Sequence, residues 1–343
     1  MYAGTLAGEE KCVVTVQGVV TALAPIAHGE PESNRKRAAE RNGEENRKWP
    51  ERPVRKVALF WRGSFLEVPV VSSNHIVHLC RALLVRDMLR KAGVTDQELE
   101  GLRAKQPAFY QTLFSGGALE GQAAEGGDAQ DAGNGGRGRA RERARRDPRY
   151  ERLNGVLDSP EKLAEAFPVV KLFGCAVPWL GDVILESCIG VGHMWPLTIE
   201  TADLFGLTAE DLRKLGAEGQ LIQAVQLSQV DHMVFVRTDE TADVRAEGEE
   251  SARNVFEVEY VPAGTRFYHE IHVDAREKRF GLAALKRLAE DLLPQHPFVG
   301  GLIKRGFGRV GFAYRLPEGA DKAEYDRRVN PDRIREVVNA LLA

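Results

Sequence analysis

The sequence predicts an α+β fold in which one β-α-β-β-α-β unit extends over the whole chain and is interrupted by long insertions. A β-branched segment near the N-terminus precedes a helix with regular apolar spacing. Two strand segments near Leu227–Val236 and Val255–Val273, a second helix and a last strand follow in the final third, and polar or glycine-rich stretches separate these elements. With 343 residues, 43% of them hydrophobic, the chain can form a sizeable core as two domains or as one domain with large insertions.

The first half of the chain is predicted to contain strands and one long helix. Three segments rich in β-branched or aromatic residues predict strands: Cys12–Leu23, Val54–Trp61 and Phe65–Val71. Ser72, Ser73 and Asn74 offer N-caps for a helix whose apolar residues recur at spacings of three and four, and Gly93 is placed to end it. Residues 30–56 include a polar, basic stretch without periodicity, which predicts a loop insertion.

The middle of the chain, residues 95–225, is predicted to be a helical insertion. Its predicted helices are Thr95–Lys105, Gln106–Leu113, Pro160–Phe167 and Thr208–Gly216. Val169–Val177 and Val183–Gly190 predict strands or apolar loops. Residues 115–150 are rich first in Gly, Ala, Asp and Gln and then in Arg, and this low complexity predicts a mobile segment.

The last third has clearer periodicity. The predicted strands are Leu227–Val236, Val255–Val261, Phe267–Val273 and Val310–Arg315. The predicted helices are Gly281–Leu293 and Asp332–Leu342, the second with Pro331 in its first turn. The acidic stretch Thr238–Ser251 predicts a loop, so residues 226–262 read as a hairpin insertion.

Charge is segregated along the chain, so the net charge of −3 says little. Residues 34–56 contain nine Lys or Arg against four Glu, and residues 137–152 contain eight Arg against three acids. Acidic residues concentrate elsewhere, for example in Asp239–Glu250. Basic segments on a nearly neutral protein favour a polyanionic partner at one surface. The alternative is that these segments are only solvated.

Several classes of protein are not indicated. No apolar run approaches the roughly 18–20 residues that a membrane span needs, and the N-terminal stretch does not have the pattern of a secretion signal. The four cysteines have no CxxC spacing and are typical of buried thiols in a reducing cytoplasm. We therefore expect a cytoplasmic protein without membrane contact, disulfide, metal or other cofactor.

The stretch GGLIKRGFGRVGF, residues 300–312, nearly matches the RNA-binding strand of an RRM, and only Arg309 departs from it. A separate C-terminal RRM would need a helix and another strand after Phe312, and the chain has a helix there but no strand. The stretch therefore fits the whole-chain unit, in which it joins the second helix to the last strand.

Four stretches, in order along the chain, resemble the RAMP superfamily of CRISPR proteins. They are GVVTALAPIAHGE, VPVVSSNHIVHLCRALL, VPAGTRFYHEIHVD and the glycine-rich stretch above. The set is similar to CRISPR effector backbone subunits, the Cas-seven family, and most similar to those of type IV systems. The resemblance implies a ferredoxin-like, RRM-like palm with a helical finger region and a β-hairpin thumb. It also implies a non-catalytic subunit that binds the guide RNA (crRNA) and forms a head-to-tail homo-oligomer along it. Its further partners would be other Cas subunits and target nucleic acid paired with the guide, in antiviral or anti-plasmid defence.

The resemblance also implies where RNA would bind. Hydroxyl, amide and helix N-terminal N–H groups suit phosphate oxygens, although Ser72 or Asn74 could cap the helix as well. Ser73 stands where the family usually has Gly, and Val77 where Lys or Arg is common. The candidate RNA-binding residues are His28, Arg35, Lys36, Arg37, Arg55, Lys56, Ser72, Ser73, Asn74, His75, His78, Arg81, Met233, Phe235, Lys304, Arg305 and Arg309. Met233 and Phe235 are on the predicted thumb, where they either wedge between bases or pack within the hairpin.

Two alternatives stay open. His28 could act as the acid–base residue of a guide-processing RAMP endoribonuclease, since a histidine can take a 2′-hydroxyl proton near neutral pH. Target-cutting relatives use an aspartate between the first strand and first helix, but this chain has none before Asp87. From another class, the chain could be an RRM-like regulatory RNA binder that forms no filament.

Neither histidine pair predicts a metal site. His269 and His272 would point to opposite faces of a strand and cannot share one ion. His75 and His78 have helical spacing but no evident third ligand.

Overall fold

The computed structural model describes residues 13–29, 54–117, 147–181, 183–219, 221–228, 231–237 and 254–343. Most of the basic loop, the low-complexity stretch and the acidic loop fall outside these ranges, and so do Arg35, Lys36 and Arg37. What the sequence predicts for them stays a prediction.

The described strands and helices occur in runs of each kind along the chain. The strands are β1 (Val14–Ala22), β2 (Lys56–Trp61), β3 (Ser64–Pro69), β4 (Cys175–Val177), β5 (Val183–Leu185), β6 (Ile189–Val191), β7 (Trp195–Pro196), β8 (Asp231–Arg237), β9 (Asn254–Tyr260), β10 (Arg266–Val273) and β11 (Val310–Arg315). The α-helices are α1 (Ser73–Lys91), α2 (Asp96–Lys105), α3 (Pro107–Ser115), α4 (Glu151–Val156), α5 (Pro160–Ala166), α6 (Val169–Phe173), α7 (Ile199–Leu204), α8 (Ala209–Lys214), α9 (Ala224–Ser228), α10 (Lys278–Arg287), α11 (Lys322–Arg328) and α12 (Pro331–Leu342). No helix among the described residues is both long and apolar enough to span a membrane.

The central sheet has the strand order β11-β1-β10-β6, and the short β7 also pairs with β10. All of these pairs are antiparallel, with Val19 opposite Tyr268 and Val20 opposite Phe312. In the chain, α1 lies between β1 and β6, and α10 lies between β10 and β11. The protein is therefore α+β with an antiparallel sheet.

The strands that pair with β10 on the side away from β1 differ from the strand that the sequence predicts there. Leu227–Val236 was expected as the second strand of the β-α-β-β-α-β unit, but Asp231–Arg237 pairs with Asn254–Tyr260 in a separate hairpin. Ile189–Val191 and Trp195–Pro196 take its place beside β10. These strands are three and two residues long, too short for a period of two to be recognised.

The apolar run at 169–177 was expected as a strand or an apolar loop, and its first part is a helix. Val169–Phe173 forms α6, and only Cys175–Val177 is extended. Val169, Val170, Leu172 and Phe173 are all buried, so the run is apolar on every side and its periodicity cannot distinguish helix from strand.

One face of the sheet packs against the helices. Val16, Val20, Phe267 and Ile271 belong to the same buried cluster as residues of the helical layer. Those helical residues include Ile76, Leu84 and Met88 of α1, Leu285 of α10, and Val337 and Val338 of α12. Alternate residues of β1 and β10 thus face this core, as the period of two in a strand requires.

The opposite face is partly covered by the segment from β7 to α8. Val19 and Tyr268 pack with Leu197, Leu215 and Ala217 in a second buried cluster. Tyr268 is only 1% exposed. The Tyr268 ring, at the centre of the sheet, is therefore not open to solvent on this face.

Candidate nucleic-acid interface

Helix α1 begins at a buried serine. Ser72 is the N-cap, has extended backbone dihedrals, and accepts a hydrogen bond from the backbone N–H of His75 at 3.4 Å. Its side chain is 4% exposed, and its Oγ lies 3.0 Å from His28 Nε2. The hydrogen bond from His75 N–H satisfies a backbone donor of the first turn that has no acceptor within the helix. Ser72 therefore acts here as a cap.

Three histidines accept hydrogen bonds from backbone N–H groups at this point. Ser72 N–H donates to His28 Nε2 at 3.1 Å, and Ser73 N–H donates to His193 Nδ1 at 2.8 Å. Gly300 N–H donates to His75 Nε2 at 2.9 Å. A backbone N–H can only donate, so each of these ring nitrogens must be unprotonated.

The surroundings of these rings favour the neutral form. Burial lowers the pKa of His28 to about 4, with further lowering by the nearby rings of His75 and His193 and by the Arg55 guanidinium. Burial also lowers the pKa of His75, helped by His78, and the pKa of His193, helped by Arg55. All three imidazoles are therefore neutral acceptors at pH 7.

His193 was not among the residues that the sequence predicted. It follows Gly192 and precedes Met194, whose backbone pairs with Val71 just before α1. This pairing brings the 192–195 segment beside the start of the helix. A single histidine between β6 and β7 carries no spacing signal by which the sequence could have predicted it.

The turn after β1 is the point at which the other segments meet. Ile26 exchanges both backbone hydrogen bonds with Val261, each at 2.9 Å. Gly301 N–H donates to Ala27 O at 2.7 Å, and Gly308 N–H donates to Pro25 O at 2.7 Å. Together with the His28–Ser72 contact, these bonds join all four stretches that resemble the CRISPR backbone subunits. We call this meeting point (residues 25–29, 72–75, 192–194, 261 and 300–308) the junction.

Cations lie around the junction. Lys304, Arg305 and Arg309 are exposed, and none of the ion pairs among the described residues includes Lys304 or Arg309. Arg55 is half-buried, and its backbone N–H donates to His28 O at 2.9 Å. Lys56 lies 4.0 Å from the Glu259 carboxylate, which partly neutralises it.

The position of Arg81 differs from the sequence prediction. It was predicted to contact phosphate, but it is 3% exposed, and its Nη2 donates to the carbonyl oxygens of Phe173 at 2.8 Å and Gly174 at 2.7 Å. The guanidinium therefore satisfies carbonyl groups at the end of α6 and holds α1 against it. Asn74 and His78, four residues apart on α1, are the exposed members of the predicted set on this helix.

The hairpin β8–β9 carries the two candidate wedge residues. Met233 is half-buried and packs against Ala27, Val258 and Phe307. Packing within the hairpin and against the junction therefore accounts for Met233 without an RNA contact. The side chain of Phe235 lies outside the described part of the chain, and its contact with RNA stays a prediction.

The HEIH stretch has the geometry expected of a strand. His269 is buried on the helix-facing side, within 2.8 Å of Tyr314 Oη and 3.1 Å of Gly192 O. His272 lies on the other face, 3.0 Å from Thr15 Oγ1. The two rings thus point in opposite directions, and no cluster of three or more potential metal ligands occurs among the described residues.

Comparison with known proteins returned only structural similarity. None of the family models matches the sequence, and no curated protein is similar to it. A type IV-B CRISPR complex is similar with a TM-score of 0.44 and 14% identity, over 89% of this chain and 92% of that chain. A type III-B Cmr-beta structure bound to cognate target RNA gives a TM-score of 0.39 and 9% identity, over 88% and 97%. Cmr6 from Pyrococcus furiosus gives 0.35 and 12%, over 87% and 97%.

Proposed function

We propose that the chain is a non-catalytic backbone subunit of a CRISPR effector complex, which binds guide RNA and oligomerises head-to-tail along it. One observation carries the proposal. The four sequence stretches that resemble such subunits are far apart in the chain, yet their backbones and side chains meet at the junction. If the four resemblances arose by chance, we would not expect the four stretches to contact one another in the fold.

The strand order supports a ferredoxin-like palm. In β11-β1-β10-β6, strand β10 lies between β1 and β6 and is antiparallel to both, so β1 and β6 form a split β-α-β unit. Helices α1 and α10 occupy the two positions between strands of a β-α-β-β-α-β unit. We place the finger region within 95–225, apart from the palm strands β6 and β7, and the thumb at 226–262.

The proposed RNA contacts are with phosphates. Asn74 and His78 on α1 and the cations Lys304 and Arg309 present exposed donors beside the start of the helix, where the N–H dipoles favour an anion. Phosphate contacts do not read sequence, so the guide bases would stay free to pair with target nucleic acid. The most similar systems by sequence motifs are of type IV, and the biological role would be defence against viruses or plasmids.

The non-catalytic part of the proposal rests on His28. Its Nε2 lone pair already accepts from Ser72 N–H, and its Nδ1 would carry the proton. A general base needs a free lone pair within reach of the substrate hydroxyl. A ribonuclease would therefore need this bond to break, and we rank that function second.

Titration against guide RNAs of increasing length tests the proposal. We expect a ladder of complexes in native gels, one step for each fixed increase in RNA length, with intact RNA and helical arrays in electron micrographs. RNA cleavage that His28→Gln abolishes would support the ribonuclease instead. A single 1:1 complex at every length would support the regulatory RNA binder.

A further inference from the structure

The hairpin β2–β3 presents two aromatic rings to solvent. Phe60 is 60% exposed and Phe65 is 77% exposed. They are cross-strand partners, and their ring centroids are 5.0 Å apart. Exposed apolar side chains are common singly, but a rigid pair of aromatic rings with this exposure is typical of a binding surface.

The other side of the hairpin is anchored. Leu59 and Val68 are buried against Ala224 of α9. Trp61 Nε1–H donates to an Asp203 carboxylate oxygen at 2.7 Å. Because the inner face is fixed, the hairpin cannot turn Phe60 and Phe65 inward, and the rings are held ready for a partner.

The tip of the hairpin holds a cation on the Trp61 side. Arg62 adopts φ 47°, a left-handed conformation that costs a non-glycine residue on the order of 1 kcal/mol, and Gly63 follows with φ 84°. The Arg62 guanidinium stacks on the Trp61 ring at 4.4 Å and lies 3.7 Å from Asp203, yet its side chain is 70% exposed. These contacts offset the backbone strain and hold the guanidinium on the Trp61 side of the hairpin, the side opposite Phe60 and Phe65.

The charge of the hairpin selects the kind of partner. Residues 54–69 contain the cations Arg55, Lys56 and Arg62 and the single acid Glu67, and Glu259 and Asp203 partly neutralise Lys56 and Arg62. The hairpin also starts at the junction, because Arg55 N–H donates to His28 O at 2.9 Å. A six-residue strand extends roughly 20 Å, so the hairpin leads from the junction to the aromatic pair over about three nucleotides of extended single strand.

We propose that Phe60 and Phe65 form a stacking platform for unpaired bases of a single-stranded nucleic acid whose phosphates are held near the junction. The inference rests on the proposed function and assigns it a second contact surface. Every base has a π-face, so the platform accepts any base. A purely apolar protein partner would gain nothing from the cations at the junction end of the hairpin.

An abasic oligomer distinguishes stacking from phosphate binding. We would measure affinities for oligouridine RNA and for an abasic oligomer of equal length, over a series of salt concentrations. For Phe60→Ala/Phe65→Ala, we expect roughly tenfold or greater weakening for oligouridine, no weakening for the abasic oligomer, and an unchanged salt dependence. Phe65→Trp should retain wild-type affinity. The matched control is Ile184→Ala, which removes a side chain that is 64% exposed on β5, and it should change neither affinity.

Equal affinity of the double variant and wild type for oligouridine would overturn the platform. An equal loss on both oligomers would do the same, since the rings would then support phosphate binding only. Weaker self-association in sedimentation, with unchanged RNA affinity, would assign the rings to a protein contact and also overturn it. If wild type bound neither oligomer, the proposed function itself would fail, which is a different result from any of these.

Discussion

Single glycines of the loop 300–308 differ in what surrounds them. Gly306 and Gly308 have nearly the same backbone conformation, with φ 86° and 81°. A Cβ on Gly306 would meet nothing within 4 Å, whereas a Cβ on Gly308 would lie 2.2 Å from the carbonyl oxygen of Val299. Both glycines have the left-handed conformation. The difference in stability between their alanine variants therefore isolates the effect of the close backbone approach at Gly308.

This pair gives a matched test of the loop. Gly306→Ala should cost about 1 kcal/mol in the free energy of unfolding, from the left-handed alanine alone. Gly308→Ala should cost at least about 2 kcal/mol more, because the 299–308 backbone must separate and its hydrogen bond to Pro25 O would be strained. Urea denaturation of both variants measures the difference. Equal losses would mean that the loop adjusts freely around Gly308.

Individual site residues were predictable only where a motif marked them. Ser72 has the residue type and position of an N-cap, and His28, His75 and the glycine-rich loop came from the resemblance of four stretches. His193 was missed because it lies alone in a short, irregular strand region. Arg81 was wrongly predicted to contact phosphate. Its position in the helix shows neither that α6 covers it nor that two carbonyl groups accept hydrogen bonds from its guanidinium.

At the scale of elements, the junction holds segments that are remote in sequence through neutral imidazoles. His28 connects the turn after β1 to the start of α1, His75 connects α1 to the glycine-rich loop, and His193 connects the β6–β7 segment to α1. Each bond requires an unprotonated ring nitrogen, so protonation both breaks the bond and places a charge in a buried site. The arrangement of these elements is therefore coupled to pH.

We expect this coupling to appear in folding stability. The folded pKa of His28 is about 4, below its unfolded value of about 6.5, so the unfolded state binds more protons between these values. The contribution of His28 is fully present above pH 6.5 and is lost as the pH falls through 4, by about 3 kcal/mol in total. The lowered pKa values of His75 and His193 act in the same direction.

His28→Gln tests this contribution, because a glutamine carbonyl can accept from Ser72 N–H but does not titrate. Thermal or urea unfolding between pH 4 and 7 should show a shallower loss of stability at acid pH for this variant than for wild type. The control is His272→Gln, since the exposed His272 ring contacts Thr15 Oγ1 and, within the described part of the chain, accepts no hydrogen bond from a backbone N–H. A wild-type pH profile in His28→Gln would show that His28 is not the coupled group.

Long elements with regular spacing were predictable, and short ones were not. The helix α1 follows the predicted bounds because Ser72 caps its start and Gly93, with φ 67°, follows its end. The strands β6 and β7 are fixed only by their pairing with β10, which is distant in sequence. Such pairing depends on the tertiary fold and leaves no local periodicity to detect.

At the scale of the whole molecule, the described residues leave no free aromatic surface at the centre of either face of the central sheet. Helices cover one face, and the segment from β7 to α8 covers Tyr268 on the other. Exposed cations instead lie at the end of the sheet around the junction, at Lys304, Arg305 and Arg309. An RRM binds bases on its open sheet face. Under the proposed function, this chain would instead bind a phosphate chain at the sheet end.

Matched charge variants locate the binding surface. Lys304→Gln/Arg309→Gln should weaken RNA binding and reduce the slope of log affinity against log salt by about 1.4, at about 0.7 for each lost phosphate contact on a single strand. Arg86→Gln/Arg90→Gln removes the same charge from exposed positions on α1, roughly 20 Å or more from its N-terminus, and should leave the slope unchanged. Equal slopes in the two double variants would mean that net charge, and not the junction, governs binding. A selective loss in the first variant places the RNA backbone beside the four converging stretches.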